Sequence, residues 1–181
     1  DLTDLLAEGN VTSVSAAAVT TLTGTATEVL AVLSEDNITG PTAATVTIAA
    51  GTHGAGDLSD ILSDGSITAV DASAATTLTG SVAQIDAVLA EGNITNPTTM
   101  TATLGAGTEA ATDLTALLAE GNVTSVSAVA VTTLTGSVAQ INAVLTEGNI
   151  TNPTTITATL GAGTEAATDL TALLAEGNVT S

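Results

Sequence analysis

The chain has no Lys or Arg, no Cys and no Phe, Tyr or Trp, and it sets a single His against 19 acidic residues, for a formal charge of -19 over 181 residues. Without a cation to meet phosphate or a ring to stack on a base, both usual sources of nucleic-acid affinity are missing. Binding to an anionic membrane fails on the same ground. No apolar run approaches the roughly 18 residues needed to span a bilayer, so membrane insertion is excluded and the chain reads as soluble. The lack of Cys leaves the compartment open. Without aromatics the core must be built from Ala, Val, Leu and Ile and is therefore thin. Apolar residues nonetheless make up 44% of the chain and recur in register, which separates it from a disordered acidic tail. High acidity, abundant Thr and no tryptic site suit an extracellular or cell-surface protein in salt water.

What the sequence does have is a repeat. "LLAEGNVTS" occurs at 5–13, 117–125 and 173–181, and looser copies fall between. The apolar lead of this signal stands at Leu5, Val32, Ile61, Val88, Leu117, Val144 and Leu173, so the spacing alternates between 27 and 29 residues and the full period is 56. Residues 1–13 match 169–181 except at Asp4, where the later copy has Ala172. The chain is thus one continuous array, three periods and a return to the starting phase. No polar terminal repeat closes either end, as a free solenoid requires, and the sequence is read as a window of a longer array.

Each half-unit reads as a strand followed by a short helix. In the 27-residue kind, Ser127–Gly136 ("SAVAVTTLTG") reads as one strand with Val129 and Val131 on a face, and the following segment places Val138, Ile141 and Leu145 at helical spacing. Thr25 with Glu28, Ser81 with Gln84 and Ser137 with Gln140 are capping-box pairs. In the 29-residue kind, Ile156, Ala158 and Leu160 share a strand face, and the next helix presents Leu170, Leu173 and Leu174. Parallel strands joined through helices need crossovers, which are right-handed in nearly all cases. The fold class expected is therefore α/β, a right-handed solenoid with parallel β-sheet on one side and short helices on the other. Strands sit about 4.8 Å apart and packed helices about 8–10 Å, so a curved or superhelical form is expected.

The 27 and 29 alternation and the single Asn per rung (Asn10, Asn37, Asn93, Asn122, Asn149 and Asn178, with Ser66 in the remaining rung) resemble leucine-rich repeats in architecture. The Asn follows Gly rather than an L-x-x-L-x-L core, a departure from their consensus. Phrases such as "VTTLTGSVAQINAVL" are similar to the Ala/Thr/Val-rich tandem arrays of very large secreted bacterial surface proteins, including those of marine cyanobacteria. That resemblance implies adhesins, surface coats and extracellular filaments, with self-association through repeated faces.

Seven acids recur beside the helix ends: Glu8, Glu35, Asp64, Glu91, Glu120, Glu147 and Glu176. The negative end of a helix dipole disfavours them there. Stacked in a column, each beside unpaired helix carbonyls and an Asn amide, they form a candidate Ca²⁺ site bridging adjacent rungs. The alternative is that they solvate the turns. The six Asn residues lie in N-x-T sequons, and the reading favoured over glycosylation is a ladder of Asn side chains. Gly is expected to take a left-handed position after each helix. Asp36 takes that place in "LSEDN", where Asp is better tolerated than most residues. On this reading only the acid is without a structural duty.

Other patterns lead to weaker sites. "GAGTEA" at 105–110 and 161–166 has dinucleotide-loop spacing, but its acids would face a pyrophosphate with no cation to offset them; a flexible strand-to-helix turn is the better reading. His53 holds the place that Glu109 and Glu165 occupy in later periods and reads as a surface substitution. Asp57 and Asp60 sit where a helix begins and where negative charge is favourable. No nucleophile recurs beside a base, so the chain is expected not to be an enzyme. Outward Thr residues (Thr99, Thr101, Thr103, Thr155, Thr157 and Thr159) suggest ice binding, but the intervening rung presents Ala128, Ala130 and Thr132 and breaks the array. The function expected is a structural repeat segment, a stalk, coat or filament subunit. The alternative is a repeated-face binding module for Ca²⁺-dependent adhesion to glycans or surfaces.

Overall fold

The computed structural model describes residues 11–180 and, ahead of them, Asp4. Glu8 and Asn10 lie outside the described residues. The elements in chain order are β1 (Val14–Ser15), β2 (Thr21–Gly24), α1 (Ala26–Leu33), β3 (Ile38–Thr39), β4 (Ala44–Ile48), β5 (Gly51–Gly54), α2 (Ala55–Ser63), β6 (Ile67–Asp71), β7 (Ala75–Gly80), α3 (Val82–Ala90) and β8 (Ile94–Thr95). The pattern continues with β9 (Met100–Leu104), β10 (Gly107–Ala110), α4 (Ala111–Ala119), β11 (Val123–Ser127), β12 (Val131–Gly136), α5 (Val138–Thr146), β13 (Ile150–Thr151), β14 (Ile156–Leu160), α6 (Ala167–Ala175) and β15 (Val179–Thr180). This is the α/β strand-helix repeat expected from the sequence, and its strands pair in parallel. The chain forms two compact units: one runs through Leu78 and adds Ala87–Thr98, the other comprises Thr79–Asp86 and Thr99 onward.

In the first unit the strands lie in the order β2-β4-β6-β8, with β1 on β3 and β5 beside β7. In the second the orders are β10-β12-β14-β15 and β9-β11-β13. Paired residues are typically 24 apart in sequence, as in Thr21↔Thr45 and Thr133↔Thr157. The helices start at Ala26, Ala55, Val82, Ala111, Val138 and Ala167, so the interval from one start to the next alternates between 29 and 27 residues. Subtracting the pairing step of 24 from 29 and from 27 leaves a lag of 5 or 3 residues per rung. Each sheet therefore slides along the non-helical limb. The first unit's sheet starts at β2, just before a helix, and ends at β8, just after one.

That slide explains the main departure from the sequence reading. A limb carries two or three short strands, not one. The expected single strand at 127–136 is two, β11 and β12, separated by a corner in which the Val131 N–H donates to the Ala128 carbonyl (2.9 Å). The same bond closes the corners at Ala75 to Ala72 and Val19 to Ala16, 2.9 Å in both. Val129 sits on the outside of the bend, 55% exposed, while Val131 and Ala128 are buried. Strict alternation of Ala and Val is as compatible with a corner as with a strand, because small residues fit both.

The 29-residue strands follow the expected alternation: Ala44, Val46 and Ile48 of β4, and Met100, Ala102 and Leu104 of β9, are buried. On the helices, Val138, Ile141 and Val144 form the buried face of α5, and Leu145, expected there, is half-buried. On α6, Leu173 is buried, Leu170 is half-buried and Leu174 is exposed. Outward Thr residues do more than favour extended backbone. Thr68, Thr124 and Thr180 donate their hydroxyls to the carbonyls of Ala44, Met100 and Ile156, each 24 residues earlier (3.0, 3.0 and 3.2 Å). Thr76 and Thr132 do the same to Gly51 and Gly107 (3.1 and 3.0 Å).

The three expected capping boxes are present. Glu28, Gln84 and Gln140 accept the N–H of Thr25, Ser81 and Ser137 (2.8, 2.9 and 2.8 Å), whose hydroxyls accept from the N3 N–H in return. The glycine before each box has φ of +156° (Gly24), +156° (Gly80) and +153° (Gly136), a region that L side chains rarely adopt. A Cβ on Gly136 would also stand 3.0 Å from the capping oxygen of Gln140. By contrast, among the described residues the glycines after the helices, expected to be left-handed, have no positive φ. Asp36 replaces one of them without strain for that reason. Gly136→Ala should therefore lower the free energy of unfolding by about 1–3 kcal/mol, whereas Gly148→Ala, where a Cβ meets nothing within 4 Å, should change it by less than ~0.5 kcal/mol; urea unfolding of the two variants checks the difference.

Candidate functional site

The most repeated constellation is the acidic joint between a helix and the next strand. Asp64, Glu91, Glu120, Glu147 and Glu176 each close the helix before them, donating the main-chain N–H to the carbonyl three residues back at 3.2 Å. At α1 the closing residue is Ser34, and Glu35 follows it. The carbonyls of Glu35, Asp64, Glu120, Glu147 and Glu176 then receive the N–H three residues on, from Ile38, Ile67, Val123, Ile150 and Val179 at 3.0–3.2 Å. The joint is thus a tight turn that begins at the acid.

At three of these joints the carboxylate has a duty that the sequence pattern does not show. Asp64 Oδ1 accepts from the Ser66 N–H and hydroxyl (2.8 and 2.5 Å). Glu35 Oε1 accepts from the Asn37 side-chain amide at 3.2 Å and its N–H at 3.5 Å, and Glu147 Oε1 from the Asn149 N–H at 3.4 Å. These bonds satisfy turn donors and offset the unfavourable end of the helix dipole.

The Asn position works mainly through its backbone. The carbonyls of Asn37, Ser66, Asn93, Asn122, Asn149 and Asn178 accept from Val14, Ala44, Val70, Met100, Val126 and Ile156 at 2.7–2.9 Å. The expected ladder of Asn side chains is replaced by a ladder of main-chain carbonyls. The Asn178 side chain does reach a neighbouring rung, donating to the Pro153 carbonyl at 3.3 Å. Asn37, Asn93 and Asn149 are exposed, and Asn122 and Asn178 are half-buried.

A second constellation, at the helix starts, escapes the sequence reading. His53 is buried at 4% exposure, not a surface residue. Its Nδ1 accepts from the N–H of Ala26, the first residue of α1, at 3.4 Å, and its Nε2 lies 2.8 Å from the Ala49 carbonyl, to which it donates. One and two periods later, Glu109 accepts from Val82 (3.4 Å) and Glu165 from Val138 (3.3 Å), the first residues of α3 and α5. In each case the acceptor belongs to the next rung, 27 residues on. The boxed helices thus have a further orphan N–H satisfied from outside. The "GTEA" phrase is this device, and its acid faces a helix N-terminus of the same chain, not a pyrophosphate. The available signal is the constant separation of GTH and GTE from the preceding capping box.

Asn96 and Asn152, one period apart in the repeated phrase "ITNPTT", also act. Their amides tie the ends of α3 and α5, donating to the carbonyls of Leu89 and Leu145 at 3.0 Å. Their Oδ1 atoms, and those of Asp86 and Asn142, are buried without a hydrogen-bond partner. Asp57 accepts from the Thr27 hydroxyl at 2.8 Å, a contact between the first turns of α2 and α1.

Among the described residues no group of three or more His, Asp or Glu side chains could hold a metal ion, and no helix is long and apolar enough to cross a membrane. Comparison with known protein families, curated proteins and solved structures finds no match to this chain.

Two acids are pushed above the ordinary carboxylate range. For Asp86 the chief cause is burial, followed by the charges of Glu120 and Asp113. For Glu109 burial again leads, opposed by the Val82 N–H and reinforced by Asp113. A raised folded-state pKa means that the folded chain binds the proton more tightly than the unfolded chain. The penalty is present above the folded pKa and is lost as pH falls below the unfolded value, so stability rises on acidification. Asp86→Asn, which copies Asn142 of the next period, should raise the melting temperature at about pH 7, and the gain over the parent should vanish near pH ~3; thermal melts across that range measure it.

Proposed function

We propose that the chain is a structural repeat segment of an extracellular surface protein, serving as a stalk, coat or filament subunit. The observation that carries this reading is that the repeated polar groups are used within the repeat. The carboxylates of Glu35, Asp64 and Glu147 complete turns, the Asn carbonyls and Thr hydroxyls bond the adjacent rung, and the Glu and His acceptors cap neighbouring helices. Such a chain directs its polar chemistry to holding successive rungs together, and its natural output is reach. Resemblance to secreted Ala/Thr/Val-rich arrays and the charge of -19 support an extracellular setting.

The Ca²⁺-dependent binding module is the weaker reading. Glu35, Asp64 and Glu147 already engage carboxylate oxygens in their own turns, and exposed acids repel one another only weakly in salt. One experiment separates the two readings. Excising residues 57–112, one whole period, should leave a chain that still folds by circular dichroism, with a melting temperature unchanged by Ca²⁺ up to about millimolar. A rise of several degrees with Ca²⁺ would favour the binding module, and loss of folding on excision would remove the structural reading.

A further inference from the structure

We propose that Asn93 and Asn149 are acceptor sites for an N-linked neutral sugar in the folded chain, and that Asn122 and Asn178, which lie in the same kind of N-x-T sequon, are not. A ladder of buried Asn side chains would forbid a glycan at every one of these positions. The ladder is instead made by main-chain carbonyls, and the objection lifts wherever the side chain is exposed.

The repeat sets its sequons in two ways. After α3 and α5 the sequon is Asn-Ile-Thr, and it runs into a two-residue strand, β8 or β13, in regular register with β6 or β11. Side chains alternate along an extended chain, so Asn and Thr share the outward face and Ile turns inward. Asn93, Thr95, Asn149 and Thr151 are all exposed, while Ile150 is 5% exposed. Among the described residues, the side-chain amides of Asn93 and Asn149 and the hydroxyls of Thr95 and Thr151 make no hydrogen bond. Asn37 has the same exposure but donates its amide to Glu35 Oε1 at 3.2 Å, which leaves Asn93 and Asn149 as the unencumbered pair.

After α4 and α6 the sequon is Asn-Val-Thr, and its groups are already in use. Thr124 is the extra residue of a bulge where β11 pairs with β9, and its hydroxyl donates to the Met100 carbonyl at 3.0 Å. The Thr180 hydroxyl donates to the Ile156 carbonyl at 3.2 Å. Asn122 and Asn178 are half-buried, and the Asn178 amide donates to the Pro153 carbonyl at 3.3 Å.

Glycosyl transfer joins the Asn amide nitrogen to the anomeric carbon of a sugar diphosphate donor. The bond from that carbon to the diphosphate oxygen breaks and its electron pair leaves with the diphosphate, while the amide proton passes to a base of the transferase. The sequon makes the Thr hydroxyl a required partner of the amide, so both must be free, and the product must sit at the surface because it is bulky. Exposed Glu91 and Glu147, two residues before each acceptor, repel an acidic sugar at this range and favour a neutral one. Sugar on these joints leaves the contacts between rungs untouched, so the structural-segment reading does not depend on it.

The test is to incubate the folded chain with UDP-glucose and a soluble glycosyltransferase specific for N-x-S/T, then map hexose by mass spectrometry after cleavage at acidic residues, since the chain has no Lys or Arg. Asn93 and Asn149 should be modified roughly tenfold faster than Asn122 and Asn178, the factor set by one hydrogen bond that must break first. Unfolded peptides 119–127 and 146–154 should react alike, which separates the effect of the fold from sequence preference. Thr151→Ala should remove the sugar from Asn149 with an unchanged melting temperature, and Thr151→Ser should retain it. A folded-chain ratio no larger than the peptide ratio, or no hexose on Asn93 and Asn149 while the peptides react, would overturn the assignment.

Discussion

Everything in this chain depends on the hydrogen-bonded step from one rung to the next. A single rung has a few strand residues, a helix of eight or nine residues and no aromatic side chain to bury. Helices this short are marginal alone, and a two-residue strand such as β3 has no stability of its own. Stacking supplies what is missing. The next rung gives carbonyls for the strand N–H groups, caps for the helix starts and a second wall for a core of Ala, Val, Leu and Ile.

The difference between a 24-residue pairing step and a 27- or 29-residue coil gives the stack its pattern. Each sheet drifts toward the helix C-termini and is replaced by another, so the limb needs a corner where strands change sheets. Ala128 and Ala72 turn that corner with one main-chain bond. Thr fits beside it because its hydroxyl reaches back to a carbonyl of the preceding rung. Low complexity in the sequence is thus a consequence of geometry: the same few contacts recur, and the same few residue types make them.

Much of this is legible in the sequence because it is local. The capping boxes and the buried face of the 29-residue strands follow from spacing within a dozen residues, and the period follows from laying the chain against itself. The remainder depends on partners about one rung away. Nothing near His53 announces that a helix start 27 residues earlier needs an acceptor, and Val129 alternates correctly for a strand that does not exist. The acid of "LLAEGN" looks misplaced for a similar reason. Its cost lies in the helix dipole, which can be read locally, and its use lies in a turn that feeds a carbonyl to another rung. Glycine misleads most simply: the expected left-handed residue is the one after the helix, and positive φ stands instead before each capping box, at Gly24, Gly80 and Gly136, and where β5 and β10 begin, at Gly51 and Gly107.

Rungs that complete one another should reveal it most directly in the free energy of unfolding as a function of repeat number. Chains of one, two, three and four 56-residue periods would be unfolded in urea under identical conditions. One period should be unfolded or barely stable, and each added period should raise the free energy by a constant increment, as nearest-neighbour coupling requires. A single period as stable as four would contradict the account.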